Sequence, residues 1–290
     1  MDAHTGERGA RLRVKGRGPF LAAMVIDSAG TGMFLPFTVL YFVHVAGLTA
    51  PAAGVALTVA GFVVLPAPLA VAPGIDRLPA RTVVAAGNLI SCAAFAGYLF
   101  VHGQLAVTAA AVAAGAGQAT FWTGTRALIS EVACPGERRS WFGLQTAIRS
   151  AGYGLGGLAG AAVLSVHSPG AFKALAALDA VSYLGAALLL LAWRQPPPPA
   201  TPAKPPAADR AHSSYWPALT DRPLAGITAL NTAFVLCLQV LTVVVAVYVV
   251  ATLHLAVWIA GVLFTLNTVL VAAGQAPLTL ATRRIPTATR

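Results

Sequence analysis

Charge is what this sequence has least of. Only 10% of its 290 residues are Asp, Glu, Lys or Arg, and the acidic ones number 9. A soluble domain of this length needs a charged, polar skin, so the shortage excludes one. Cysteine is scarcer still. Cys92, Cys134 and Cys237 are odd in number, lie in or beside apolar segments and have no metal-like spacing. They read as small buried hydrophobes, which excludes a disulfide framework and a cysteine-built metal centre. Enzyme motifs are missing too. There is no H-E-x-x-H, no Asp-rich pair for a metal diphosphate, no G-x-S-x-G and no G-K-[ST] phosphate loop. The glycines of "GYGLGG" lie inside an apolar helical run and not after a strand, so they make no dinucleotide fingerprint. No catalytic residue, metal site or cofactor is expected, and the chain does not read as an enzyme.

What remains is apolar sequence in long runs. Hydrophobic residues make up 57% of the chain, and eight runs can be placed at about 20–45, 53–72, 82–101, 105–127, 141–165, 171–193, 223–251 and 257–280. A bilayer core takes about 20 apolar residues per helix. The runs are rich in Ala, Gly, Val and Leu, the composition of helices that pack closely in lipid. Alternating segments of about 10 residues, as in an outer-membrane barrel, are not seen. The expectation is an all-α membrane protein of eight spans.

Basic residues then set its orientation. Arg8, Arg11, Arg13, Lys15 and Arg17 precede span one, Arg77 and Arg81 follow span two, and Arg138 and Arg139 follow span four. Arg194, Lys204, Arg210 and Arg222 follow span six, and Arg283, Arg284 and Arg290 follow span eight. With alternating helices all of these fall on one side, and Lys173 is the exception on the other. By the positive-inside rule that side, with both termini, is cytoplasmic in a cell membrane. The formal charge of +10 is thus accounted for by topology and by contact with the lipid bilayer, and nucleic acid is not expected as a partner. The apolar run after residue 19 is too long for a cleaved signal, so span one is retained.

One connection is unlike the rest. Residues 194–222 carry "RQPPPPATPAKPPAADRAHSS", which favours extended polyproline geometry and cannot pack as a helix. The expected organisation is a basic arm at 1–19, a six-helix bundle at 20–193, the Pro-rich cytoplasmic linker at 194–222, two helices of a second bundle at 223–280 and a tail at 281–290. A weak internal repeat supports the division. An offset of 207 residues sets Tyr41 on Tyr248, Leu48 on Leu255, Gly54 on Gly261, Thr58 on Thr265, and "DRLP" on "RRIP". Parallel repeats of this kind occur in transporter architectures.

Three groups of residues stand out. Asp27 lies about two turns into span one, where a charge in lipid costs several kcal/mol, about 2.5–3.5 at the centre of a span on insertion scales. Such a residue usually faces the bundle interior and has a partner. Arg149, at similar depth in span five, is the first candidate and Arg126 in span four the second. Asp27 reads as part of a proton- or substrate-coupling site, as half of a fixed structural ion pair, or as a residue at the lipid interface. Asp76, Arg77 and Arg81 at one cytoplasmic loop, with Glu131, Arg138 and Arg139 at the next, can form an ion-pair cluster acting as a gate, or can simply end helices. Gly152, Gly156 and Gly160, spaced by four, give span five a bare face for close helix packing. Asp179 in span six reads as a small polar packing residue.

The loop "PGIDRLPARTV" resembles the cytoplasmic motif G-x-L-A-D-R-x-G-R-R of the major facilitator superfamily. Asp76, Arg77 and Arg81 match its charged positions, while Ala72 and Pro79 replace its glycines. The stretch 126–164 resembles that superfamily's end of helix four, loop and Gly-rich helix five, and "LNTVLVAAGQAPLTL" resembles its helix eight. The resemblance implies secondary transport of a small-molecule substrate by alternating access, with proton-coupled, drug-like efflux of an amphipathic compound as the leading form. On that reading Asp27 and Arg149 couple proton to substrate, the charged loops latch the cytoplasmic side, and the second bundle stops after two of its helices. An importer, or a truncated non-transporting scaffold, is the alternative. If eight helices are the finished product, a homodimer is expected.

Overall fold

Prolines set many of the helix boundaries. The computed structural model describes residues 16–134, 137–166, 170–195 and 222–282. Most of the basic arm, of the Pro-rich stretch and of the C-terminal tail lies outside the described residues. Helix α1 (Gly18–Phe34) opens with Pro19 in its first turn, where the missing N–H would have no intrahelical partner anyway. A 3-10 turn at Leu35–Phe37 holds Pro36, and the helix resumes as α2 (Thr38–His44). Span two breaks at Pro66 into α3 (Ala50–Val64) and α4 (Ala67–Arg77), bent by 41°. The Thr49 hydroxyl caps α3 by accepting from the Ala52 N–H at 3.3 Å. Then follow α5 (Ala80–Tyr98), α6 (Gln104–Val132), α7 (Arg138–Ser165) and α8 (Ala171–Ala192). Beyond the Pro-rich stretch lie α9 (Arg222–Val247), a π turn at Tyr248–Thr252 and α10 (Trp258–Thr282). No strand occurs among the described residues, and the fold is all-α.

Length and apolarity separate the spans into two sorts. Among the described residues Gly18–His44, Ala80–Tyr98, Gln104–Val132 and Ala171–Ala192 are each long and apolar enough to cross a bilayer, and the bent α3–α4 pair makes a fifth. Helix α7 has 28 residues, but Gln145, Thr146, Arg149 and its glycines dilute the apolar run. Eight runs were expected from the sequence. The remaining three runs are helical as well, in α7, α9 and α10.

Packing orders the helices as neighbours in a row. Helix α1 lies between α7 and α8, α5 lies between α8 and α6, α3 and α4 rest on α6, and α10 covers the far side of α7. Two apolar clusters fill the interior. One, around Phe20, Met24, Val84, Leu128, Trp141 and Leu190, lies toward the basic helix ends. The other, around Phe34, Phe37, Tyr41, Phe95, Tyr98 and Leu175, lies toward the opposite ends. Between them along the helices run buried polar residues: Asp27, Ser28 and Thr31 on α1, Asn88 and Ser91 on α5, Asp179 on α8. Outward, Val55, Phe62, Leu158, Leu178, Val181 and Leu188 stand exposed. An apolar exterior around a polar middle is the reverse of a soluble domain and suits lipid.

The 207-residue offset extends to local hydrogen bonds. The Leu48 N–H donates to the Phe42 carbonyl at 3.1 Å, and the Leu255 N–H donates to the Val249 carbonyl at 3.1 Å. The Thr58 hydroxyl donates to the Gly54 carbonyl at 2.8 Å, and the Thr265 hydroxyl to the Gly261 carbonyl at 2.9 Å.

Candidate functional site

Two faces of α1 build the polar middle. Residues three and four apart on a helix share a face, so Asp27, Gly30 and Thr31 point one way, toward α8. There Asp179, Ser182 and Tyr183 have the same spacing. The Thr31 and Tyr183 hydroxyls are hydrogen-bonded at 2.9 Å. Ser182 Oγ donates to the Asp179 carbonyl at 2.8 Å and lies 3.2 Å from Asp179 Oδ1. Gly30 makes the approach possible: a methyl group there would come within 2.6 Å of Asp179 Oδ1 and collide with Ser182.

The other face of α1 meets α7. Added methyl groups at Gly152, Gly156 and Gly160 would run into Ser28, Ala29 and Met33 respectively, and one at Gly32 would lie 2.5 Å from the Tyr153 Cα. The four-residue stripe therefore brings the two backbones together without side chains between them. On its other side α7 meets α10, where Gly157 faces Thr265 and the Thr265 hydroxyl lies 3.0 Å from the Gly154 carbonyl.

Asp27 is 4% exposed and Asp179 fully buried. Asp27 Oδ1 and Asp179 Oδ2 have no hydrogen-bond partner among the described residues. The depth-based pairing of Asp27 with Arg149 is not made in this structure. Equal depth along two helices leaves their rotation open, and α7 turns Arg149 elsewhere. Its guanidinium sits 4.6 Å from the Trp122 ring centroid and 5.8 Å from that of Tyr153, a cation–π sandwich between α6 and α7. Arg126, the second candidate, is exposed and makes no ion pair with Asp27 among the described residues. Tyr153 lies within electrostatic range of Arg149, Asp27 and Asp179.

At the basic ends the expected ion-pair cluster is absent among the described residues. Arg81 donates to the Trp193 carbonyl, Arg138 to the Ser130 carbonyl at 3.3 Å, and Glu131 accepts from Gln195 at 3.3 Å. Arg77 is exposed, and the Asp76 and Arg139 side chains lie outside the described residues. A different charged knot forms instead. Arg17, 8% exposed, pairs with Glu137 at 3.9 Å, donates to the Val132 carbonyl and lies 5.2 Å from the Trp141 ring centroid. Trp193 stacks on Phe20 and donates from Nε1 to the Gly16 carbonyl at 2.9 Å. The start of α1, the α6–α7 turn and the end of α8 are thereby tied together.

The family model described as the Major Facilitator Superfamily matches residues 20–290, nearly the whole chain. The chain belongs to the major facilitator superfamily. Comparison with curated proteins returned no match. Membership makes this a superfamily transporter and a multi-pass membrane protein. Reasoning from sequence missed Gly30, Thr31, Ser182, Tyr183, Tyr153 and Trp122. The matching three-and-four spacing around Asp27 and Asp179 was the one signal that could have found the first four.

Proposed function

We propose that this superfamily member is a secondary active transporter that moves an amphipathic small molecule out of the cell in exchange for protons. The buried Asp27 carboxyl, whose Oδ1 has no hydrogen-bond partner among the described residues, supports the reading best. A carboxylate that a cation holds permanently cannot easily exchange a proton, and Asp27 makes no ion pair among the described residues. Arg149, held on Trp122 and Tyr153, is the charge that Asp27 would meet in another state of the cycle. The basic helix ends and both termini are assigned to the cytoplasm by the positive-inside rule, in a six-helix unit followed by a second unit. Under this assignment Asp76, Arg77, Arg81, Glu131, Arg138 and Arg139 form the gate only after Arg81 and Glu131 exchange their present partners.

Purified protein in proteoliposomes, given a pH gradient and a panel of amphipathic fluorescent dyes, tests this. Dye-dependent proton flux that Asp27→Asn abolishes is the expected result. Absence of solute-dependent proton movement for every dye would sink it, and the direction of dye movement separates an exporter from an importer.

A further inference from the structure

The facing sides of α1 and α8 bring two buried acids to within about one turn of each other along the seam. Asp27 and Asp179 each begin an i, i+3, i+4 set, and the later members of the two sets touch. Thr31 bonds to Tyr183, and Gly30 lies against Asp179 and Ser182. The two helices run antiparallel, the start of α1 beside the end of α8, so the first members do not stand directly opposite each other. Asp179 Oδ1 lies against Gly30, about one turn along the same face from Asp27, and the two acids lie within electrostatic range of each other. Each is more than nine-tenths buried, and each keeps one carboxylate oxygen with no partner among the described residues. Two ionised carboxylates about one turn apart, in an interior of low dielectric, repel each other.

The surroundings offer little to offset that repulsion. From α7 the facing groups are Tyr153 and Arg149, and the guanidinium is held on two rings. From α8 they are Asp179 itself and Tyr183. Helix α5, packed on α8, brings only Cys92 and Tyr98 near mid-span and opposite-end depth, with Arg81 at its basic end. Helix α10 carries no acidic or basic side chain.

We propose that Asp27 and Asp179 act as one proton-binding unit, which takes up protons one at a time and carries a single negative charge between them when half-loaded. Asp179 is then a second proton-carrying residue of the coupling site and not a packing residue. Gly30 is its positioning residue, kept bare so that the second carboxyl fits against α1. This rests on the proton-coupled reading above, but its test does not require transport.

Infrared difference spectra of the full chain in lipid, recorded across an alkaline-to-acid titration, report protonated carboxyls directly. In the wild type the band should grow over a broad range with a Hill slope below one, as two interacting acids do. Asp27→Asn and Asp179→Asn should each leave a single-site curve with a slope of one, and the double variant should lose the band. Asp179→Glu keeps the carboxyl and should keep the breadth, which guards against a variant that merely misfolds. An unaltered titration in Asp179→Asn, or complete loss of the band in Asp27→Asn, overturns the proposal. A sodium-dependent band displacement, marking a metal-cation site in place of a proton site, overturns it as well. Paired titration without dye-driven flux would leave the proposal standing and remove the transport reading. Flux that depends on Asp27, with no paired titration, would do the reverse.

Discussion

Among single residues Arg17 carries unusual weight for a position so near the start of the chain. It satisfies the Val132 carbonyl, neutralises the buried Glu137 and lies over Trp141. Arg17→Ala leaves Glu137 buried without its cation, and breaking a buried pair in this way costs about 3–5 kcal/mol. Thermal unfolding in detergent should show a clearly lowered midpoint. Arg17→Lys, which keeps the charge but not the planar stacking, should fall between. A midpoint unchanged by Arg17→Ala would mean that the knot adds nothing to stability. None of this was legible in the sequence, where Arg17 looked like one more topology-setting base. Its partners are a turn at Glu137, a carbonyl and a ring, and no short spacing announces them. Asp27 was legible, because a lone acid in an apolar run is conspicuous. Its surroundings were not, since depth along a helix fixes height and not facing. That is why Arg149 seemed to be the partner when Tyr153 and Trp122 hold it.

At the level of helices, the seam between α1 and α7 depends on missing side chains. Gly156→Val would press a branched side chain onto the Ala29 carbonyl and the Met33 backbone. Overpacking of this kind costs about 1–3 kcal/mol and more where backbone must move. Gly185 on α8 has nothing within 4 Å of an added methyl, so Gly185→Ala should be neutral or stabilising by up to about 1 kcal/mol. Paired thermal melts of the two variants check the contrast, and equal shifts would contradict it. The bend of span two gives a second expectation. Pro66→Ala restores an N–H and relieves the clash of the ring with the preceding turn, so spin labels on Ala52 and Gly74 should move apart. Helix positions were largely readable from apolar runs, and the four-residue glycine spacing is plain in the sequence. Which helix the stripe meets was not readable, because glycine spacing marks a close approach without naming the neighbour.

For the whole molecule, polar and apolar layers alternate along the membrane normal. Two aromatic-rich clusters enclose a thin layer that holds both buried acids and the buried Asn88 and Ser91. Apolar composition told of the membrane, and basic residues suggested the orientation. The layering was hidden, because each helix contributes only one or two polar residues to it. The same scale gives the 207-residue repeat its meaning. Gly54 and Gly261 accept the same hydrogen bond from a threonine one turn on, yet Gly54 has open space around it. Gly261 is shut in by Phe37, Ala161 and the Gly157 carbonyl, all within 3 Å of an added methyl. One local sentence is thus spelled twice under unequal editorial control. In a saturation scan read out by folded yield, Gly54 should accept alanine, serine and valine, while Gly261 should refuse every substitution. Position 54 would be free to drift where position 261 is held, so the similarity of the two units fades first on the unpacked side.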